Sequence, residues 1–428
     1  MTTDQGSRLS FTKYIYDSVH GSIGITETEL KLIDTPIFQR LRRIKQLGVA
    51  DLIYPGATHS RFSHSIGAMF VMNEYLENVM KDGKPIAKDV DEKQKLRLAA
   101  LLHDVGHYPF SHSLETPITE VFKCCKHDEN GRNIIKSVLG ERFENYTPQE
   151  IIDILEGNVA DDVFSLLISS DFDVDKLDYL MRDAYNTGVA YGNVDADRLL
   201  RVMKFDSQGN IVFEKPGPAV ENFLLARYHM FQAVYYHHAI VAFNLLIERI
   251  YELLVNEKVI PHPSEILGSD DESYLAMFDD DFVWQSMRQC STKKDGGLLT
   301  ELAKMVLRRD PLTLVVHEFQ TAEKDTRPVG YEKINIVKRF PESKKTLATN
   351  AGLPEEWIFP WLAPKVISLL PDESPVFIRR DNKLIPIEDD ASSIVKRMSG
   401  SSFYDARLYS RSDMKAKLKS TYSVYNPV

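Results

Sequence analysis

The sequence predicts a mainly α-helical protein with a smaller α+β region toward its C-terminal end. Three observations carry this. Apolar residues recur at helical spacing through most of residues 29–245. Short β-like runs gather after residue 275, at LTLVVHEF (312–319), KINIVKRF (333–340) and SPVFIRR (374–380). Between the two parts, HPSEILGSDDESY (262–274) has the composition of a loop or linker.

The elements follow in order. Thr35-Pro36 reads as an N-cap and first helical position. In the following IFQRLRRIKQLG, Ile37, Leu41 and Ile44 fall at i, i+4, i+7 and should face the core, with Gln39, Arg42 and Gln46 on another face. HSIGAMFVMNEYLENVM (64–80) sets Ile66, Met69, Phe70, Asn73 and Leu76 at helical spacing. KQKLRLAALLHD (93–104) is an apolar helix that delivers His103 and Asp104 at its end, where Gly106 permits a turn. DFDVDKLDYLMRDAYNTG (171–188) carries an apolar stripe of Val174, Leu177, Met181 and Ala184. Its polar stripe is Asp175, Tyr179, Arg182 and Asp183. A solvated face rarely sets a Tyr between two Asp at those spacings, so the stripe is expected to line a pocket. RVMKFDSQGNIVFEK (201–215) reads as a β-hairpin turning near Gln208-Gly209-Asn210. A long aromatic-rich helix is expected from about 219 to 256, with Phe223, Tyr228, Phe231, Tyr235 and Tyr236 mostly in the core. The polar tail RSDMKAKLKSTYSVYNPV is expected to fray.

Composition narrows the class. The 428 residues, 43% hydrophobic and 27% charged, fit a soluble globular protein with a large core. A net charge of -10 argues against a surface that coats nucleic acid. Arg40, Arg42, Arg43, Lys45 and Arg61 still form a local basic cluster. The three cysteines, of which Cys124 and Cys125 are adjacent, exclude a disulfide framework or a thiolate zinc site and fit a cytoplasmic setting. MTTDQGSRLS has no apolar signal region, and runs such as AIVAFNLLI (239–247) are too short to span a bilayer.

The chemistry centres on His103-Asp104 in LLHDVGHYPFSHSLE, with His64 upstream and Asp175 downstream. Adjacent His and Asp side chains cannot share one helix face. At a helix end the chain turns, and both can converge on one ion. Two imidazoles and two carboxylates suit a divalent metal such as Mn, Fe, Mg or Zn. Such a metal can activate water and neutralise phosphate charge, which points to a metal-dependent phosphohydrolase.

The motifs YDSVHG (16–21), IDTPIFQRLRRIKQLG (33–48), YPGATHSRFSHSIG (54–67), LLHDVGHYPFSH (101–112), DVDKLDYLMRD (173–183) and ARYHMFQAVYYHH (226–238) occur together. From Lys13 to His238 the chain resembles the HD-domain dNTP triphosphohydrolases, in the branch related to the sterile-alpha-motif and HD-domain protein. It is expected to stand without the sterile-alpha-motif domain. The resemblance implies a helical HD-domain core that converts dNTP and water to deoxynucleoside and tripolyphosphate. It implies His64, His103, Asp104 and Asp175 as metal ligands, with Asp173 outside the set. His107, Glu115 and His127 would be catalytic, although relatives carry Asp where this chain has Glu115. A protonated His127 would assist departure of the 5′ oxygen. Arg61, His112, Lys176 and Arg227 would contact the phosphates. Gln46 and Asp183 would contact the sugar 3′-hydroxyl, Tyr179 would close the space beside C2′, and Tyr235 would wall the base.

The resemblance further implies a guanine nucleotide activator site at Lys13, Asp34, Gln39 and Arg42, built between subunits. A homo-oligomer follows, a tetramer or a dimer, with GTP, dGTP or another dNTP as activator. The expected division is residues 1–50 for the activator segment, 51–260 for the catalytic core and 275–428 for an α+β region serving assembly or regulation. The rival readings are an HD-type phosphodiesterase or nuclease and a non-catalytic nucleotide sensor. Many two-metal phosphodiesterases of this kind carry Lys where this chain has His107. A sensor has no need of His64, His103, Asp104, Asp175, His107 and His127 together.

Overall fold

The computed structural model describes residues 8–214, 217–294, 297–323, 340–363, 367–368, 376–381, 383–398 and 401–425. The expected run KINIVKRF lies outside them but for its last residue, as do residues 426–428 of the tail.

An antiparallel hairpin of β1 (Lys13–Asp17) and β2 (Gly21–Ile25) begins the fold. Asp17 Oδ1 ties its turn by accepting from the backbone N–H groups of Val19 and His20. Helix α1 (Glu27–Ile33) starts on a capping box between Thr26 and Glu29. Thr35 caps α2 (Pro36–Gln39) as expected, but the long helix does not form. The chain tightens into a 3-10 turn at Arg40–Arg43 and then extends to bridge Lys45 with Ser60. The cause is Arg40, which is drawn inward. Its guanidinium donates to the carbonyls of Val105, His107 and Phe278, each at 2.9 Å. Ile37, Leu41 and Ile44 are nonetheless fully buried. Gln39 and Arg42 share a face, whereas Gln46 leaves it beyond the turn and donates its N–H to His59 O.

Helix α3 (Arg61–Asn78) packs against both α4 (Val90–Leu102) and a later helix, α8 (Val174–Thr187). Between them run α5 (His127–Asn133), α6 (Pro148–Glu156) and α7 (Asp162–Ile168). Helix α8 is capped by Asp173 and ends at Gly188 with φ 74°, the left-handed conformation glycine adopts freely. Of its two stripes, Val174, Leu177 and Ala184 are buried. The polar stripe divides: Arg182 turns to Asp17 and Asp178, away from Tyr179 and Asp183.

Helix α9 (Ala196–Val202) claims the first two residues of the expected hairpin. The hairpin itself joins β5 (Met203–Phe205) to β6 (Ile211–Glu214) in a sheet ordered β11-β10-β6-β5-β3-β4. The other strands of this sheet are β3 (Met80–Lys81), β4 (Lys84–Pro85), β10 (Val376–Arg380) and β11 (Lys383–Pro386). The long aromatic helix is two helices, α10 (Pro218–Met230) and α11 (His238–Asn256), separated by a π turn at Phe231–Tyr235. At the break, the Tyr236 carbonyl accepts from Arg407 and the His238 carbonyl accepts from the Tyr409 hydroxyl. The expected linker holds α12 (Pro263–Leu267) and α13 (Glu272–Ala276), because His262 and Asp271 act as helix caps. Helices α14 (Asp280–Ser291) and α15 (Gly297–Leu307) follow, and all join the main core through residues such as Ile266, Phe278 and Val283.

Toward the C-terminus, β12 (Ser401–Ser410) pairs antiparallel with β7 (Thr313–Glu323), β8 (Phe359–Leu362) and β9 (Ile367–Ser368). Helices Phe340–Ala351 and Lys415–Tyr425 pack on this sheet around Val315, Leu347, Ile358, Leu408 and Leu418. Burial of Leu418 and Tyr422 makes the expected fraying tail a helix to Tyr425. Among the described residues, no helix is long and apolar enough to cross a membrane.

Candidate metal centre and active site

Helices α3, α4 and α8 bring their polar residues to one point. His64 stands in the first turn of α3, His103 and Asp104 leave the end of α4, and Asp175 lies in the first turn of α8. The Nε2 atoms of His64 and His103 are 3.3 Å apart. Asp175 Oδ1 lies 3.0 Å from the first and 3.7 Å from the second. Asp104 oxygens lie 3.6 and 3.4 Å from the same two atoms, while its Oδ2 also accepts from Arg61 Nη1 at 2.5 Å. His64, His103 and Asp175 thus form the tighter group, with Asp104 beside it and turned toward Arg61.

The outer contacts fix the direction of both imidazoles. His64 Nδ1 donates to Asp178 Oδ2 at 2.7 Å, and His103 Nδ1 donates to the Ala100 carbonyl at 2.7 Å. Each ring therefore turns the lone pair of Nε2 toward the other and toward two carboxylates. Electron donors at this spacing match ligands about 2.1 Å from one ion, and the donor set fits a divalent cation. Burial opposes a charge on His64, yet the adjoining carboxylates of Asp175 and Asp178 push its pKa up to about 10, as suits surroundings that favour a cation.

A histidine cluster adjoins the acidic one through Asp104. His107 Nε2 is 3.2 Å from Asp104 Oδ1. The His107 ring stacks on His127, with centroids 4.0 Å apart. Burial and the nearby Arg61 hold His107 well below its ordinary value, hence neutral. His127 differs. Burial opposes its charge, but Asp128 and Glu115 raise it to about 9. Glu115 Oε1 is 2.6 Å from His127 Nδ1, and its Oε2 is 3.1 Å from His112 Nδ1, so the glutamate serves both. Burial raises Glu115, but His112 and His127 outweigh it and hold the carboxyl well below the usual range.

Close backbone packing makes this possible. A Cβ on Gly106 would lie 2.2 Å from both Gly131 N and His127 O, so α5 approaches the turn after Asp104 only because residue 106 is glycine. Asn130 Nδ2 then donates to the Gly106 carbonyl at 2.7 Å. Phe110 and Ser111 both take left-handed φ values, 55° and 56°. They are held there by Asp280, which accepts from Phe110 N, and by Ser111 Oγ, which donates to Lys45 O. Arg61 Nε donates to the same Ser111 Oγ. His112, next in the chain, is exposed.

The other expected site residues fall as follows. Lys176 Nζ bonds Asp173, which caps α8 and does not enter the donor cluster. Arg227 bonds buried Asp171 at 2.9 Å. Tyr179 and Tyr235 meet edge to face at 6.0 Å. Tyr235 donates to Asp183 Oδ2, whose other oxygen is 2.8 Å from His59 Nε2. Gln46 Oε1 is a buried acceptor with no partner among the described residues. Gln39 and Arg42 meet at the surface: Arg42 donates to Gln39, Gln39 donates to Ile33 O, and Arg42 lies over the Phe62 ring, while Asp34 is exposed at the end of α1. Lys13 is exposed at the start of β1. Sequence reasoning passed over His20, Asp178, Asp128 and His59. Asp178 had a usable signal, since it stands at i+3 from Asp175 and i−4 from Arg182.

Comparison with known proteins agrees with this architecture. The HD domain family model matches residues 61–180, and the HD associated region model matches 194–310. The uncharacterized protein YwfO of Bacillus subtilis is 31% identical over 95% of this chain and 94% of its own length. The uncharacterized protein MJ1154 of Methanocaldococcus jannaschii is 38% identical over 58% of this chain, which spans about half of it, 51%. The deoxynucleoside triphosphate triphosphohydrolase SAMHD1 homolog of Dictyostelium discoideum is 30% identical over 55% of this chain and 48% of its own length. A phosphohydrolase from Bacteroides thetaiotaomicron, known from its crystal structure, superposes with a TM-score of 0.72 at 26% identity, covering 93% of this chain and 100% of that one. The chain belongs to the HD-domain family, in the group that joins the HD domain to an HD-associated region.

Proposed function

We propose that this protein is a metal-dependent dNTP triphosphohydrolase that releases a deoxynucleoside and tripolyphosphate. The observation that carries the reading is the junction at Asp104, which borders the His64, His103 and Asp175 donor cluster on one side and the His107–His127 stack on the other. His64, His103, Asp104 and Asp175 would hold a divalent ion, which would supply Lewis acidity and lower the pKa of water. The remaining chemistry belongs to the chain. Water attacks the α-phosphorus, the bond to the 5′ oxygen breaks, and His127 gives that oxygen a proton, with Glu115 holding the imidazolium; the proton released by the attacking water returns His127 to its charged form. Neutral His107 lies against His127 and adds no competing charge. Arg61, His112, Lys176 and Arg227 take the phosphate chain. Lys176 and Arg227 are bonded to Asp173 and Asp171, so phosphate binding exchanges one anionic partner for another. Gln46 and Asp183 bind the sugar 3′-hydroxyl, the orphan Gln46 Oε1 being ready to accept from it. Tyr179 closes the space at C2′, and Tyr235 stands beside the base.

The same reading assigns Lys13, Asp34, Gln39 and Arg42 to a GTP, dGTP or dNTP activator site in a homo-oligomer, a tetramer or dimer. It assigns residues 51–260 to catalysis and 275–428 to assembly or regulation, in a cytoplasmic protein. A phosphodiesterase acting through a second metal is the alternative favoured by one observation: His107, His112 and His127 form a second group of potential metal donors. A product assay separates the two. The protein with Mn or Mg is given each dNTP, alone and mixed with GTP, and products are resolved by ion exchange. Deoxynucleoside plus tripolyphosphate supports the proposal, and release of dNMP or monophosphate overturns it.

A further inference from the structure

The turn of the N-terminal hairpin reaches the candidate metal centre. His20 Nε2 lies 2.6 Å from Asp178 Oδ1, and the other oxygen of that carboxylate accepts from His64 Nδ1. Arg182 clasps Asp178 through Nε and Nη2 at 2.8 and 2.9 Å. The same guanidinium holds Asp17 through Nη1 at 2.7 Å and Nη2 at 3.2 Å. Asp17, in turn, fixes the backbone N–H of His20. The network is closed: Asp17, His20, Asp178 and Arg182 each bond to at least two of its members or to His64. The side chains are almost wholly buried, at 7% exposure for His20 and 0% for Asp178.

Helix packing is cut to admit this network. A Cβ on Gly67, one turn after His64, would fall 2.0 Å from Asp178 Oδ1 and 2.2 Å from Arg182 Nη2. Asp175 and Asp178, one turn apart on α8, address opposite nitrogens of the His64 ring, Nε2 and Nδ1. Asp178 therefore sets the plane of the ring, and whatever sets the plane of Asp178 sets the metal ligand. Arg182 divides its nitrogens between Asp178 and Asp17. The second anchor on Oδ1 is His20, whose ring is backed by Phe70 of α3 at 4.8 Å.

We propose that His20 is a positioning residue of the metal centre, and that the Asp17–Gly21 turn clamps His64 through Asp178. This rests on the reading of His64 as a metal ligand. Displacement of the hairpin turn from α8 then weakens metal binding without touching any ligand directly.

The test is Mn affinity, followed by electron paramagnetic resonance of free Mn, together with the visible absorption of the Co-substituted protein. His20→Phe keeps an aromatic ring against Phe70 but cannot donate. His20→Gln restores an N–H donor near the position of Nε2. His20→Phe is expected to weaken Mn binding about tenfold and to shift the Co spectrum, the low end of the range for lost outer partners of metal ligands. His20→Gln is expected to return both to within about twofold of the parent, a recovery that repacking alone does not produce. Asp17→Asn, which leaves His20 in place but loosens the turn, is expected to fall between them and serves if His20→Phe does not fold. Parent affinity and spectrum in both His20→Phe and Asp17→Asn, with loss in His64→Ala, would overturn the clamp and leave the metal reading intact. Absence of Mn and Co binding in the parent protein would overturn both.

Discussion

His107 lies flat against His127, with ring planes 20° apart, yet their surroundings push the two imidazoles in opposite directions. Burial and Arg61 keep the first neutral, whereas Asp128 and Glu115 overcome burial and raise the second to about 9. A proton donor of that kind is charged below about 9 and loses its proton as pH rises through that value. The rate of dNTP hydrolysis is therefore expected to be sustained through neutral pH and to fall along an alkaline limb near 9. In Glu115→Gln, one cause of the elevation is removed. The limb is expected to move toward the ordinary histidine value of about 6.5, as a pH–rate profile would register. An unmoved limb would mean that His127 is not the acid.

Loss of a metal ligand has a different signature. His103→Ala or Asp104→Ala is expected to abolish turnover together with stoichiometric metal content, measured by elemental analysis of the purified protein. Full activity in either variant after chelation of metal would overturn the assignment.

The Gly106–Gly131 crossing predicts a packing defect with a catalytic consequence. In Gly106→Ala the new methyl would stand 2.2 Å from two backbone atoms. Overpacking of this kind costs about 1–3 kcal/mol, visible as a lower urea midpoint. Because the displaced helix carries His127, kcat is expected to fall more than the stability loss explains. A parent urea midpoint, or a parent kcat in the folded variant, would overturn this packing role.

Tyr179 bears on sugar discrimination. It meets Tyr235 edge to face, and Tyr235 is tied through its hydroxyl to Asp183. Tyr179→Ala is expected to raise kcat/KM for a ribonucleoside triphosphate relative to its deoxy counterpart by about tenfold or more, the scale set by one steric contact. An unchanged ratio in competition assays would remove Tyr179 from this role.

For the activator site, Arg42→Ala is expected to lower activity only in mixtures where an added nucleotide activates. Arg42 is held over the Phe62 ring by Gln39, at the surface and outside the donor cluster. Activation persisting unchanged in the variant would sink the regulatory assignment.

Much of the candidate site's geometry was legible because the residues that converge there sit at helix ends whose periodicity is plain. The apolar run before His103 ends where α4 ends, and the stripe of Val174, Leu177 and Ala184 fixes the inward face of α8. What stayed hidden depends on partners distant in sequence. The helix after Thr35 stops early because Arg40 finds three carbonyls, in the turn after α4 and in the chain before α14. The long aromatic helix breaks where Arg407 and Tyr409 reach its carbonyls. Arg182 was read with the pocket stripe because helical spacing alone does not reveal Asp17 on the hairpin. The loop-like composition of residues 262–274 misled for a local reason, since the same residue types cap helices and form loops.

Asp280 and Arg40 have a bearing on how such a protein can be recombined. Asp280, from the HD-associated region, accepts from Lys45 N and Phe110 N, and Arg40 joins Phe278 to Val105 and His107. A fragment ending near residue 180 would leave a buried guanidinium short of the Phe278 carbonyl and release left-handed Phe110 from Asp280. The HD domain and the region after it are therefore joined by buried polar contacts that neither can replace alone. A chimera that exchanges only one side of this seam is expected to loosen the loop that carries His112 while leaving the donor residues in place.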